Sequence, residues 1–310
     1  MKPIVYDVPE KQPKVTIGLG VYNGERFLHK KIESLLNQTF PYFEIIISDN
    51  ASIDLTPKIC EEYVKNDKRI RYVRQEKNIG HWNNYNFLLR EARGEYFMWS
   101  AVDDITLPLF LEENIKILEE NKDVVVSISK IKMYGDTTEF LNSKSNAGIF
   151  SSLWKKFLRN FGHLDSYPVH GTYEARIENY FKNISHSFVF YGIYRTQQIR
   201  QSFVDELFIG NDGATTLNVL KFGEIFVLNE ILLHVYDSGM SRKGMIGVSR
   251  EMNSGIGFIF PHMRFTNWCA KNIGTKIFLK KLGFFIKLNC YGEISLVIDL
   301  MRKIKNSGSK

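Results

Sequence analysis

The sequence predicts an α/β fold, a mostly parallel sheet with helices on both faces, followed by a helical, basic C-terminal extension. Three observations carry this. Short β-rich apolar runs alternate with segments of helical periodicity through the first 131 residues. These runs are continuously apolar, as in strands covered on both faces, instead of alternating as in strands wet on one face. From about residue 254 the pattern turns aromatic, basic and helical.

Each element has its own signal. VTIGLGV (15–21) is a strand, closed by the breaker pair Asn23-Gly24. Leu28, Ile32, Leu35 and Leu36 then share one helical face. FEIIIS (43–48) is a second strand, and Thr56-Pro57 opens a helix carrying Ile59 and Tyr63. IRYVR (70–74) is a third strand, with a helix from about 82 to 92 ended by Gly94. YFMWSAV (96–102) is a fourth; Thr106 and Pro108 start a helix with Phe110, Leu111, Ile115 and Leu118 on its face, and VVVSISKI (124–131) is a fifth strand. Residues 132–186, rich in Ser, Asn, Tyr and His, read as an insertion with a helical piece around Leu153–Phe161. SFVFYGIYR (187–195) restores a strand pattern, Asp212–Leu220 a helical one, and EIFVLNEILLHVYD (224–237) gives one or two strands. The expected organisation is one domain over 1–245, with a first half at about 14–131 and a second at about 132–245, and a helical basic tail over 246–310.

Composition narrows the function classes. Apolar content of 44% and charged content of 24% are those of a soluble globular protein. The formal charge is +7, but the stretch from Arg264 onward holds ten Lys/Arg against Glu293 and Asp299, which leaves the preceding residues at −1. Nucleic acid is therefore not an expected partner of the main body. Cys60, Cys269 and Cys290 are odd in number and widely spaced, which points to a reducing compartment. The opening residues lack the apolar core of a secretory leader, and no apolar run is long enough to span a bilayer, so a cytoplasmic location is expected.

On parallel sheets, ligands bind beyond the carboxyl ends of strands. Tyr22, Asp49 and the pair Asp103-Asp104 all fall there and should share one rim. Two adjacent carboxylates at a strand end repel each other unless a cation or a hydrogen-bond network compensates. They either hold a hard divalent cation, which takes oxygen ligands and bridges to phosphates, or cap the helix beginning near Pro108.

The stretches GVYNGERFL, LLNQTFPYFEIIISDNASIDLTP, EKNIG, ARGEYFMWSAVDD and LPLFLEENI, in this order, resemble the family two glycosyltransferases, an inverting group with the nucleotide-sugar-binding GT-A fold. The resemblance is strong over about 14–131 and weaker over 187–240. It implies that Val21, Tyr22 and Asn23 lie against the nucleotide base, that Asp49 takes the base N–H, and that Asn78 and Gly80 pass the ribose and phosphates. It implies Mg²⁺ or Mn²⁺ at Asp103 and Asp104, with Asp103 the principal ligand and also a donor contact; the reverse assignment of the pair is the alternative. GNDGATTL (210–217) resembles the segment that carries the general base, here Asp212, with Asp205 and Glu206 as substitutes. HVYDSGMSRKG (234–244) resembles a loop near the diphosphate, with His234, Ser241 and Arg242 as its candidate groups. The sequence departs from the family pattern three times: Gly20 stands where a proline is usual in the first strand, Ala101 where a further Asp is common, and Tyr85 where an Arg often contacts phosphate.

The implied function is transfer of a sugar from a nucleoside diphosphate sugar to an acceptor hydroxyl, with inversion and with Asp212 as base. The acceptor is expected to be a glycan or a lipid-linked molecule. The alternative is a non-catalytic, membrane-associated nucleotide-sugar-binding protein of the same fold; nucleotidyl transfer is disfavoured because GVYNGERFL lacks a Gly-rich, cation-bearing loop. In the tail, Lys residues interleave with Phe, Leu and Ile over 275–305, a pattern that suits either an anionic membrane surface or a helix packed on the body.

Overall fold

The computed structural model describes residues 12–135, 166–182, 186–236, 244–252 and 255–307. The first half alternates as its sequence predicts: β1 (Val15–Val21), α1 (Glu25–Leu36), β2 (Phe43–Asp49), α2 (Thr56–Asn66), β3 (Ile70–Arg74), α3 (His81–Glu91), β4 (Tyr96–Ala101), α4 (Phe110–Glu120) and β6 (Val124–Tyr134), with a two-residue β5 (Ile105–Thr106) before α4. Then come α5 (Tyr173–Lys182), a 3-10 turn (His186–Tyr191), β7 (Ile193–Arg195), α6 (Thr196–Ser202), α7 (Asn211–Val219) and β8 (Glu224–Tyr236). The C-terminal part is helical: α8 (Gly244–Met252), a 3-10 turn (Gly255–Phe258), α9 (Met263–Asn272), α10 (Thr275–Lys280) and α11 (Leu282–Ser307).

The strands form one sheet in the order β3-β2-β1-β4-β7-β6-β8-β5. Its β3-β2-β1-β4 part is parallel, β7 runs antiparallel to both β4 and β6, and β8 lies parallel to β6. Continuous apolar strands are explained by two cores, one per face. In β4, Phe97 and Trp99 join the cluster containing Trp82, Leu88, Phe190 and Leu217, while Tyr96 and Met98 join the one containing Leu28, Ile32, Ile45 and Ile115. The period-2 alternation of a strand thus feeds both layers.

Two regions differ from the sequence expectation. Residues 187–195 form a 3-10 turn and only a three-residue strand. A strand would send neighbours Val189 and Phe190 to opposite faces; here both enter the same core, and Phe190 stacks on Trp99 with ring centroids 4.3 Å apart. Gly192 ends the turn where a Cβ would meet Val126 Cγ1 at 2.8 Å. In the region read as an insertion, β6 continues to Tyr134 and α5 forms an amphipathic helix with Ile177, Tyr180 and Phe181 inward. The helix expected around Leu153–Phe161 lies outside the described residues.

Two arginines tie the halves together by capping helix ends, whose last carbonyls have no partner within the helix. Arg195 Nε donates to Val124 O at 3.0 Å, and its Nη2 donates to Leu118 and Asn121 carbonyls at the end of α4. Arg200 does the same for Leu89, Arg90 and Ala92 at the end of α3. Arg195→Ala is expected to lower the unfolding free energy by about 2 kcal/mol, the worth of charge-assisted hydrogen bonds left unmade, read as a fall in the urea midpoint at constant slope.

Candidate active site

The parallel register sets the rim. Val21 pairs with Asp49 and Gly20 with Ala101, so the loops after β1, β2 and β4 leave the sheet at one level. The first two loops are laced together. Asn23 N donates to Ser52 Oγ at 2.8 Å, and Ile53 N donates to Asn23 Oδ1 at 2.9 Å. Gly24 N donates to Thr56 Oγ1, and Leu55 N to Glu25 Oε2, both at 2.9 Å. Asn23 (φ 51°) and Ala51 (φ 63°) both adopt the left-handed region. Asn tolerates this region and Ala does so at a cost, the kind of backbone strain that concentrates at binding loops. The lacing leaves Tyr22 49% exposed at the edge of the cleft.

Asp49 stands at this rim, but its carboxylate is sealed at 0% exposure. Oδ1 accepts from Ser52 N at 2.8 Å, Oδ2 accepts from Tyr72 OH at 2.9 Å, and Arg74 Nε lies 3.6 Å from Oδ2. In this state Asp49 shapes the loop, and the polar group it leaves towards solvent is the guanidinium of Arg74, which also donates to Ser52 O at 2.8 Å. Asn78 is exposed beside it; its Oδ1 accepts from Asn50 Nδ2 and from Gly80 N, each at 2.9 Å. Gly80 has φ 82° and open space around its α-carbon, so glycine is needed there for conformation and not for room.

The Asp pair bridges two parts of the sheet. Asp103 and Asp104 follow β4 directly, and β5 pairs with β8 through Ile105↔His234. Tyr134 OH donates to the Asp103 carbonyl, and Tyr236 N donates to Asp104 Oδ1 at 3.0 Å. Asp104 is 4% exposed while Asp103 keeps partial exposure. Beneath them, Lys31 of α1 is 1% exposed, and its ammonium donates to Thr106 Oγ1 at 3.1 Å. Burial pushes the Lys31 ammonium down from its usual value, against the opposing pull of Asp104 and Asp103. Burial likewise pushes both carboxyls up, with the Lys31 charge holding them down. The compensation among the described residues is the Lys31 charge together with the one hydrogen bond from Tyr236 N to Asp104. Among the described residues no group of three or more His, Cys, Asp or Glu is placed to hold a metal. Asp103 and Asp104 fit a hard cation of the kind that takes one or two carboxylates and completes its shell with substrate phosphates and water.

Tyr85, at the position where the family often has Arg, hydrogen-bonds Tyr191, and both phenols lie within electrostatic reach of the Asp pair. Burial pushes the Tyr85 phenol up to about 12, so it stays a neutral phenol. Tyr85 also accepts, through its carbonyl, the indole N–H of Trp99 at 3.0 Å.

Asp212 lies in the first turn of α7, after Gly210 in the left-handed region (φ 95°). Phe265 of α9 sits 3.1 Å from the position a Gly210 Cβ would take, so conformation requires glycine there and the space is tight as well. Asp212 Oδ1 accepts from Gly213 N at 2.8 Å, and burial pushes the carboxyl up. Its charge reaches Tyr180 and Tyr194, whereas that of the Asp pair reaches Tyr85 and Tyr191. Among the described residues no hydrogen bond or ion pair joins Asp212 to Asp103 or Asp104. The substitutes are engaged elsewhere: Asp205 accepts from Asn86 Nδ2, and Glu206 pairs with Arg264 at 2.7 Å. His234 is partly buried in β8, and burial with nearby Lys132 and Lys30 lowers its pKa. Ser241 and Arg242 lie outside the described residues.

Sequence reasoning missed Lys31, Tyr72, Arg74, Tyr191 and Tyr236. Lys31 did leave a signal: with Leu28, Ile32 and Leu35 it completes an i, i+3, i+4, i+7 set, a lysine on the inward face of α1.

Residues 16–185 match the family model described as glycosyl transferase family 2, more than half of the chain. The chain belongs to this family. Among the relatives of this family member, one from Methanocaldococcus jannaschii is 32% identical over 160 residues, covering 51% of this chain and 54% of that one. Another, from Haemophilus influenzae, is 34% identical over 124 residues, covering 40% and 38%. The chain thus spans about half or less of the length of these curated relatives. Its fold is GT-A. Residues 1–349 of S. aureus TarS, solved also with UDP and with UDP-GlcNAc, superpose with a TM-score of 0.55 at 20% identity, covering 89% of this chain and 81% of that TarS chain. The mannosyltransferase PcManGT of Pyrobaculum calidifontis, solved with GDP-Man and Mn²⁺, gives a TM-score of 0.55 at 14% identity, covering 98% and 79%.

Proposed function

We propose that this family 2 glycosyltransferase moves a hexose from a nucleoside diphosphate sugar to an acceptor hydroxyl with inversion at the anomeric carbon. The observation that carries the reading is the rim itself: the loops after β1 and β2, laced together through Asn23 and Ser52, lie level with an Asp pair at the end of β4, all within the segment that matches the family. Val21, Tyr22 and Asn23 receive the base, with Asp49 and Arg74 fixing the loop beneath it. Asn78 and Gly80 border the ribose and phosphates. Asp103, the more exposed of the pair, is the principal metal ligand, and Asp104 orients it from the Lys31 side. A bound Mg²⁺ or Mn²⁺ supplies charge neutralisation of the departing diphosphate. Asp212 takes the proton of the attacking hydroxyl; a carboxyl raised by burial is the better base near neutral pH. The acceptor is a glycan or lipid-linked hydroxyl compound.

The test is turnover with UDP- and GDP-sugars in the presence of Mn²⁺, with the product's anomeric configuration read by NMR. Release of nucleoside diphosphate and an inverted product are expected. Retention of configuration contradicts the role of Asp212.

The pH dependence follows from the Asp pair. Asp104 is raised from 3.8 to about 7, so between those values the folded apoprotein holds a proton that the unfolded chain has released. Stability of the apoprotein therefore falls as pH rises through that window. A cation competes with that proton, so the Tm increase produced by saturating Mn²⁺ at fixed nucleotide should grow from pH 5 to pH 7.5, values chosen to span the titration. A Tm increase independent of pH would exclude the pair as ligands.

A further inference from the structure

Helix α11 is 26 residues long, about 39 Å. One side docks on the protein. Phe285 is buried with its ring 4.9 Å from that of Phe278, Asn289 Nδ2 donates to Thr266 Oγ1 at 2.8 Å, and Asp299 Oδ2 accepts from Ile246 N. The other side is uncovered. Ile286, Ile294, Val297, Leu300, Met301 and Ile304 are each between 53% and 65% exposed. At about 100° per residue they fall within an arc of about 120°, one continuous apolar stripe along the helix. A stripe of this size on a soluble chain marks a contact surface. No helix among the described residues is long and apolar enough to cross a membrane, so α11 is not a span.

Charge identifies the occupant. The sequence from Arg264 on carries ten Lys/Arg and two acidic residues, while everything before it is close to neutral. Lys276 and Lys287 are exposed on α10 and α11, and Arg302, Lys303 and Lys305 follow in the sequence of the same helix. Glu293 is the one acidic residue within the arc of the stripe, and Asp299 is turned to the α8 amide. Pairing this face with a second copy would bring two strongly cationic modules together. We propose that the α11 stripe docks on an anionic lipid surface, lying in the headgroup plane with its apolar arc inward and its lysines among the lipid charges. Apolar insertion and anionic attraction then act together, the combination by which amphipathic helices bind bilayers.

Flotation of the full chain with vesicles tests this independently of any catalytic activity. The wild type should float with phosphatidylcholine vesicles containing phosphatidylglycerol, and about tenfold less with phosphatidylcholine alone, since a neutral bilayer lacks the attraction that an anionic surface exerts on basic residues. The double variant Ile294→Asp/Val297→Asp, at two exposed positions, should lose flotation by about tenfold or more with an unchanged circular dichroism melt. Three results would overturn the proposal: a wild type that stays unbound on both vesicles, a variant that floats equally well, or a wild-type dimer by light scattering that the variant converts to a monomer without lipid. The last would assign the stripe to a second copy.

Discussion

Asp212→Asn is expected to lower sugar transfer by about 10²–10⁴-fold, the usual contribution of a positioned general base. The variant should keep its Tm and its nucleotide affinity. Asn retains an Oδ1 able to accept the Gly213 N–H bond now made at 2.8 Å, so the start of α7 loses no hydrogen bond. What it loses is the ability to take a proton. Asp212 stands between Gly210 and Gly213, both close to the Phe265 ring, so α9 packs against the start of α7. Of the alternative acids, Glu206 is held by Arg264 and Asp205 accepts from Asn86. Transfer at the wild-type rate by a folded Asp212→Asn protein would assign the base elsewhere. The comparison must be made with transfer to acceptor and with the donor's hydrolysis side by side, because a base for the acceptor hydroxyl affects the first more strongly.

Lys31→Met should cost about 3–5 kcal/mol of stability, the penalty for leaving one member of a buried charge set unpaired. The ammonium lies at 1% exposure with Thr106 Oγ1 as its hydrogen-bond acceptor at 3.1 Å. Its compensation comes from the charges of Asp104 and Asp103. Methionine fills nearly the same volume, so the loss measures charge and not a cavity. Urea denaturation reads the effect as a lowered midpoint. Lys31→Met/Asp104→Asn should recover much of the loss, because a neutral pair of similar shape no longer leaves Asp104 as a buried, uncompensated charge. Simple additivity of the two single losses would show that Lys31 is a packing residue without electrostatic coupling to the pair.

The first half of the chain was legible in the sequence because its local signals agree with one another. Continuous apolar strands, breaker pairs and helix faces each specify the same alternation, and β1 to β4 form where their residues predict. The segment 187–195 was misread since its aromatic and β-branched residues fit a strand locally; tertiary packing of Phe190 on Trp99 decided for the 3-10 turn. In the site, the strand-end positions of Tyr22, Asp49 and Asp103 were legible from topology alone. The engagement of Asp49 by Tyr72 and Arg74 was not, because it joins residues more than twenty positions apart across two parallel strands. Lys31 was visible in the helical period and was passed over because a lysine on an inward face is rare without a charge partner, and that partner is 73 residues away in sequence.

The central claim is that Asp103 and the laced loops form one metal-dependent nucleotide site. A thermal-shift comparison of wild type and Asp103→Asn, with UDP and GDP, each with and without Mn²⁺, tests it most directly. Ligand at about a hundredfold over its dissociation constant stabilises a folded protein by about 2.7 kcal/mol. One of the two nucleotides is expected to raise the wild-type Tm only when Mn²⁺ is present, and Asp103→Asn is expected to abolish this rise. Wild type that responds to neither nucleotide, or an Asp103→Asn variant that responds as wild type does, would contradict it.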